Sequence, residues 1–436
     1  MLHTYSPHSR RQRWFPRAGT LALAVSLTVL TACTPSGTPQ PGHSESSASS
    51  PAAAPPSSAS PSARTAPPTP RPTATPTPSA APKPRPTAKP VPPATPEGVL
   101  ASLRLEQRVG QLFMVGAKAD GSDAPAVTGL LGRNIGNFYL AGRSKSGIGA
   151  TASLVASLRS AAAKSGNKVP VSVATDQEGG YVQVLRGPGF SEIPTALVQS
   201  ATPPAQLRAK AWSWGAELRK AGVNVNLAPV LDTVPGAAFA PSNAPIGYFQ
   251  REYGYTPSSV SAHGNAFASG LRDAGVAPVV KHYPGLGRVT LNTDTSGNVH
   301  DTATTRTDPY LAPFTAAIRG GVRWVMVSNA YYDRIDKARP APFSPVVMRT
   351  MLRSDALFTG IIVSDDLCNA AQLSPWSMGE RAANFIAAGG TMALCADPGA
   401  VSAMYAEVLK RATAEPAFRK AVDAAALTIL RVKAGK

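Results

Sequence analysis

An apolar run that ends in two acids, Gly360-Ile-Ile-Val-Ser-Asp-Asp-Leu367, is the most suggestive chemical feature of the chain. It reads as a buried strand delivering Asp365 and Asp366 at its exit. A carboxylate held there can attack the anomeric carbon of a sugar and form a covalent glycosyl-enzyme. It can equally be a capping or ion-paired acid. Other reactive side chains follow other apolar runs: Asp176, Asp232, the pair Lys281-His282, and Asp397. Competing chemistries find little to use. Only three histidines, His263, His282 and His300, lie beyond residue 97, and His263 falls in a helical stretch as a structural or surface residue. No His-x-x-x-His or Cys-x-x-Cys spacing marks a zinc site. A Gly-x-Ser-x-Gly elbow, a phosphate-binding Gly-Lys-Ser/Thr loop and a Gly-x-Gly-x-x-Gly fingerprint are all missing. No metal and no cofactor is therefore expected, since displacement by carboxylates needs neither.

These residues need elements to position them. Short apolar runs predict strands over Gln111–Gly116, Ile135–Leu140, Val169–Thr175, Val223–Ala228, Ala277–Lys281, Trp324–Ser328, Gly360–Ser364 and Thr391–Cys395. Helical stretches fall between them, at Thr151–Ser165, Ala205–Ala221, Ser258–Ala274, Leu311–Gly320, Ser344–Arg353 and Met378–Ala388. Strands separated by crossover helices pair in parallel. An α/β fold closed as a (β/α)8 TIM-type barrel is expected, with an open doubly wound sheet as the alternative. A barrel places its functional side chains just after the strand C-termini. Asp176, Asp232, Lys281-His282, Asp365 and Asp397 all fall there. Cys368 and Cys395 lie near the ends of adjacent predicted strands, so a disulfide and two buried thiols are both open.

Five ordered segments resemble glycoside hydrolase family 3, nearest its single-domain β-N-acetylhexosaminidases of the NagZ type. They are Val109-Gly-Gln-Leu-Phe-Met-Val-Gly116; Asp176-Gln-Glu-Gly-Gly180 with Val182-Gln183; Asn226-Leu-Ala-Pro-Val-Leu-Asp232 with Ile246-Gly247 and Arg251-Glu-Tyr-Gly254; Lys281-His-Tyr-Pro-Gly-Leu-Gly287; and Ser364-Asp-Asp-Leu367. The resemblance covers about 100–400. It implies a (β/α)8-type barrel and a retaining mechanism with Asp365 as nucleophile. It also implies that Asp176, Arg251, Lys281 and His282 hold the hydroxyls of the sugar being cleaved. Charged groups suit that task, because charge-assisted hydrogen bonds are about twice as strong as neutral ones.

The chain departs from the family where the acid/base belongs. The family carries an Asp-Ser-His triplet after its Lys-His motif; here the triplet is Asn292-Thr293-Asp294. Leu286 replaces a second His, and Val184 replaces a substrate-binding Arg, with Arg186 two residues on. Asp294 is then the candidate general acid/base, an ordinary role for a carboxylic acid of raised pKa. The alternatives are a glycan-binding domain that no longer cleaves, and Lys281 acting as a Schiff-base lysine. The resemblance implies terminal β-linked N-acetylglucosamine as substrate, as in peptidoglycan fragments, with β-glucosidase or β-xylosidase activity as the enzyme alternatives.

The rest of the sequence concerns location. Arg10, Arg11, Arg13 and Arg17 precede an apolar stretch from Ala18 to Leu30, and Leu30-Thr-Ala-Cys33 follows. That order resembles a lipoprotein signal peptide over 1–32, with Cys33 as the lipidation site anchoring the chain to the outer face of the cytoplasmic membrane. Arg10-Arg11 leaves the export route open between the general and the twin-arginine pathways. Residues 34–97 hold 20 of the chain's 43 prolines and no Phe, Tyr, Trp, Leu or Ile. Such a segment cannot offset its ordering entropy, so 33–97 is expected to be a disordered tether and 98–436 the folded domain. Of the net charge of +18, the leader contributes +4 and the tether +3, leaving +11 on the domain. No basic run or basic–aromatic stripe points to nucleic acid. The expected partners are a carbohydrate substrate and a membrane, with the protein itself a monomer.

Overall fold

The structure is a computed structural model, and it describes residues 95–435. The leader 1–32, the lipidation site Cys33 and the proline-rich tract up to residue 94 lie outside the described residues. The fold begins slightly before the expected boundary. Thr95 caps a helix over Pro96–Ser102, accepting from the Gly98 amide. Proline in the first turn of a helix costs no hydrogen bond. Glu97 then reaches Arg431 near the C-terminus at 2.8 Å, so residues 95–97 are folded.

Eight parallel strands follow: β1 (Phe113–Lys118), β2 (Asn137–Ala141), β3 (Ser172–Thr175), β4 (Val225–Asn226), β5 (Ala277–Tyr283), β6 (Trp324–Val327), β7 (Ile361–Ser364) and β8 (Ala393–Cys395). Their spatial order is β7-β6-β5-β4-β3-β2-β1-β8. A parallel bridge between Val363 and Met392 joins β7 to β8 and closes the ring. The expected (β/α)8 barrel is the observed architecture. The strands were legible because both faces of a barrel strand are covered, so they read as continuous apolar runs. β7 is buried at all four positions.

The boundaries moved for local reasons. Gln111, expected in β1, ends the helix Leu105–Gln111. β3 starts only after Pro170, which has no N–H to give to a ladder. β4 is two residues long, because side-chain amides do part of the ladder's work there. Asn224 Oδ1 accepts from the Val173 amide at 2.7 Å. Asn226 exchanges hydrogen bonds with the backbone of Gln177 at 3.0 and 3.1 Å. β5 runs two residues past Lys281. The outer ring includes Gly147–Lys164, Pro204–Lys220, Pro257–Asp273, Ala312–Arg319 and Met378–Ala388, close to the expected helices. The stretch expected at Ser344–Arg353 is Val346–Asp355, wound as a π-helix. His263 is half-buried on its helix, bonded to the Ser259 carbonyl at 2.9 Å.

One apolar core runs through barrel and helices. At the seam between β7 and β8, the buried Ser364 hydroxyl accepts from the Leu394 amide at 2.9 Å. Cys368 and Cys395 are joined as a disulfide across the same seam, 27 residues apart in sequence.

Candidate active site

A cleft of about 430 Å³ opens at the C-terminal ends of the strands. All six residues singled out from the sequence, Asp176, Arg251, Lys281, His282, Asp294 and Asp365, line it. Each barrel strand that contributes delivers its side chain at its exit: Asp176 one residue past β3, Lys281 and His282 in the last turn of β5, Asp365 one residue past β7. The amide of Asp365 still donates to the Val327 carbonyl of β6 at 3.1 Å, so the nucleophile candidate leaves a backbone that is still paired.

The floor is a buried ion network. Lys281 Nζ sits 2.6 Å from both Asp176 Oδ1 and Glu178 Oε1. Arg251 grips Glu178 with two hydrogen bonds, Nε to Oε2 at 2.9 Å and Nη2 to Oε1 at 2.8 Å. Burial alone would push Glu178 up, but Arg251 and Lys281 hold it well below the usual carboxylate range. Burial would likewise lower Lys281, and Asp176 with Glu178 more than reverse it. A Schiff-base amine must shed its proton to attack a carbonyl. An ammonium clamped between two carboxylates is poorly placed for that, so the Schiff-base reading has no support. The Tyr139 hydroxyl donates to the other oxygen of Asp176 at 2.6 Å. Each carboxylate and cation on the floor is thus fixed before a sugar arrives.

His282 is oriented by Asp232, which is fully buried. His282 Nδ1 lies 2.7 Å from Asp232 Oδ2, and Asp232 Oδ1 accepts from the amides of His282 and Leu286 at 3.1 and 2.9 Å. On the other side of the ring, Nε2 lies 3.4 Å from Arg251 Nη2.

The two acids at the exit of β7 have separate duties. Asp366 is a structural residue. Its Oδ1 accepts from the Cys368 and Ala396 amides at 2.9 and 3.1 Å, and its Oδ2 from Asn369 at 2.7 Å. Burial nevertheless pushes its carboxyl above the ordinary value. The Asp365 carboxylate accepts from the Asp366 amide at 2.9 Å and lines the cleft.

Asp294 comes from the loop after β5. That loop is strapped to the segment beyond β7: the Ala371 amide donates to the Asp294 carbonyl at 3.2 Å, and the Gln372 amide to the Thr293 carbonyl at 3.1 Å. The Gln372 side chain takes the Val299 amide at 2.9 Å. Asp294 is exposed as a residue, at the mouth. Its carboxyl is crowded by the protein around it. Loss of solvent and the facing charge of Asp365 together push it up to about 6.

Some residues in or beneath the cleft were not singled out from the sequence. Glu178, the hub of the floor, stood unassigned inside the Asp176 motif. Tyr139 and Arg143 carry no motif at all. Val184 is buried away from the cleft, and Arg186 does not replace the family's arginine: it pairs with Glu192 and the Gly180 carbonyl. Among the described residues, no group of three or more His, Cys, Asp or Glu side chains is placed to hold a metal ion.

The family model for the glycosyl hydrolase family 3 N terminal domain matches residues 104–432. A beta-hexosaminidase from Methylococcus capsulatus is 36% identical over 255 residues, 56% of this chain and 72% of that protein. Beta-hexosaminidase LpqI from Mycobacterium tuberculosis is 30% identical over 358 residues, 78% of this chain and 85% of its own. Among solved structures, a beta-N-acetylhexosaminidase from Beutenbergia cavernae superposes with a TM-score of 0.75 at 48% identity, covering 77% of this chain and 99% of that one.

Proposed function

The chain belongs to glycosyl hydrolase family 3, and from that premise we propose that it is a retaining glycosidase releasing terminal β-linked N-acetylglucosamine, with Asp365 as nucleophile and Asp294 as general acid/base. The relatives carry the hexosaminidase activity in their names. The observation that carries the mechanism is the pairing of Asp365 and Asp294 on one cleft, the second raised to about 6.

The steps follow from those positions. Asp176, Lys281, Arg251 and His282 hold the hydroxyls of the terminal sugar on the cleft floor. An Asp365 oxygen attacks the anomeric carbon as the glycosidic C–O bond breaks, and Asp294 gives its proton to the departing oxygen. Asp294, now a carboxylate, takes a proton from water. The hydroxide so generated attacks the anomeric carbon, and the bond to Asp365 breaks. Two inversions leave the β-configuration. The acetamido-sugar preference and a peptidoglycan-derived substrate complete the reading. So do the leader over 1–32 and an acyl anchor on Cys33, which would hold the domain outside the membrane within reach of wall fragments. No helix among the described residues is long and apolar enough to cross a membrane.

The test is hydrolysis of aryl β-N-acetylglucosaminide, β-glucoside and β-xyloside by the parent, Asp365→Asn and Asp294→Asn. Release from the first substrate, abolished in Asp365→Asn, is expected. Asp294→Asn should be slow with poor leaving groups and recover with activated ones, because an activated phenol leaves without a proton. No release above the Asp365→Asn background on any substrate would overturn the enzyme reading in favour of glycan binding.

A further inference from the structure

Three aromatic side chains on the loops beside the cleft lie outside its lining. Tyr181 is 62% exposed and Tyr248 is 64% exposed, unusual for such large rings. They do not stand singly. Phe249, half-buried between them, meets Tyr181 at a ring-centroid distance of 5.9 Å and Tyr248 at 5.0 Å, both edge to face.

The three rings sit on the two loops that build the cleft floor. Tyr181 occupies the tip of the hairpin formed by Gln177–Gly179 and Val182–Gln183, between Glu178 and the cleft-lining Val182. Tyr248 and Phe249 form the 3-10 turn between the cleft-lining Pro245 and Arg251. Both supports are stiff. Arg143, itself on the cleft, donates to the Tyr181 carbonyl at 2.9 Å, and Arg186 donates to the Gly180 carbonyl at 2.7 Å. Gly247 packs so closely that a Cβ there would lie 2.5 Å from the Ala240 carbonyl oxygen, and its amide donates to Asn243 Oδ1 at 2.7 Å. Rings held in place cost little entropy when they bind something.

We infer that Tyr181, Tyr248 and Phe249 form a platform for the sugar units on the leaving-group side of the scissile bond. The inference rests on the glycosidase reading above. A pocket floored by hydroxyl-binding charges accepts a chain end, so every further sugar must leave over the rim. A pyranose ring offers an apolar face of C–H groups. An aromatic face, with its negative quadrupole, receives that face while the equatorial hydroxyls stay in water. The two exposed tyrosines and the bridging Phe249 offer such surface beside the opening. An oligosaccharide of β-linked N-acetylglucosamine is the ligand this surface fits.

The experiment compares two substrates in Tyr181→Ala, Tyr248→Ala and the double variant. N-Acetyl-β-glucosaminyl fluoride has a leaving group too small to reach the rings; chitotriose extends across them. Each single variant should lose about tenfold in kcat/KM on chitotriose, the scale of one lost ring contact. Hydrolysis of the fluoride should stay within about twofold of the parent, which also shows that the variants are folded. Tyr181→Phe and Tyr181→Trp should keep chitotriose activity, because the ring and not the hydroxyl is required. Titration of Asp365→Asn with chitotriose and with free N-acetylglucosamine, with and without the ring substitutions, reads the platform independently of turnover. Weaker binding of chitotriose alone supports it. Equal losses on both substrates, or no loss of chitotriose hydrolysis or affinity, overturn it. A parent that fails to cleave the fluoride overturns the glycosidase reading instead, and the titration still decides the platform.

Discussion

Asp365 adds to what burial does to Asp294: after loss of solvent, the charge of Asp365 is the next largest influence raising the carboxyl that shares its cleft. Loss of solvent and a facing acid act in the same direction on Asp294. A carboxyl raised in this way is suited to the acid role of a retaining glycosidase.

The pH profile follows. In the proposed mechanism Asp294 must be protonated to form the glycosyl-enzyme, so kcat/KM on a substrate with a poor leaving group should fall as pH rises through about 6. The limb should vanish in Asp294→Asn. In Asp365→Gly, where the opposing charge is gone, the Asp294 carboxyl should titrate lower, visible by NMR of that side chain. A wild-type profile flat from pH 5 to about 8 would remove Asp294 from the acid role.

Glu178 predicts a stability cost together with an activity cost. Glu178→Gln keeps the shape but removes the charge facing Arg251 and Lys281. Breaking one partner of a buried ionic cluster costs about 3 kcal/mol or more, because the remaining charges lose compensation. Thermal unfolding should register that loss. The Michaelis constant should rise too, since Arg251 and Lys281 lose the group that fixes them. Unchanged unfolding would show that the cluster is better solvated than its burial implies.

The disulfide is a third handle. Closing a loop of 27 residues contributes about 3.5 kcal/mol in the chain-entropy view. Cys368→Ser with Cys395→Ser should lose stability of that order in denaturant titrations. Activity should drop as well, because Cys368 donates its amide to Asp366, next to Asp365. A double variant as stable as the parent would show that the seam is held by Ser364 and the bridge alone.

Glu252 gives a pH-linked prediction of opposite sense to an ion pair. The residue is fully buried, and the hydroxyl of Tyr255 offsets only part of the cost of that burial. Burial pushes it up to about 7. A carboxyl raised on folding contributes nothing adverse below its unfolded pKa. Its penalty grows as pH rises and is complete above the folded value, because the folded state must then ionise a buried group. Glu252→Gln should therefore stabilise the protein at pH 8 and have little effect at pH 5. Melting temperatures at the two pH values test it, and a shift of equal size at both would refute the assignment.

The sequence disclosed some of this more readily than the rest. The strands were legible because a barrel writes each one as an apolar run, and Asp365 because it ends such a run. Asp176, Arg251, Lys281 and His282 came from motif resemblance, and the cleft gathers all four. Glu178 stayed hidden because its partner Arg251 is 73 residues away, a distance no local pattern bridges. Asp294 was placed only by counting from Lys281. What positions it is backbone pairing with residues 371 and 372, which has no signature in the loop itself. The platform of Tyr181, Tyr248 and Phe249 is a meeting of two loops, invisible until both are folded.

The cross-link between Cys368 and Cys395 also says when this molecule is finished. Thiols pair only where the surroundings are oxidising. A chain in reducing surroundings lacks this fastening, at the seam beside Asp365. The redox state of the surroundings, rather than synthesis alone, then decides whether that covalent bond exists.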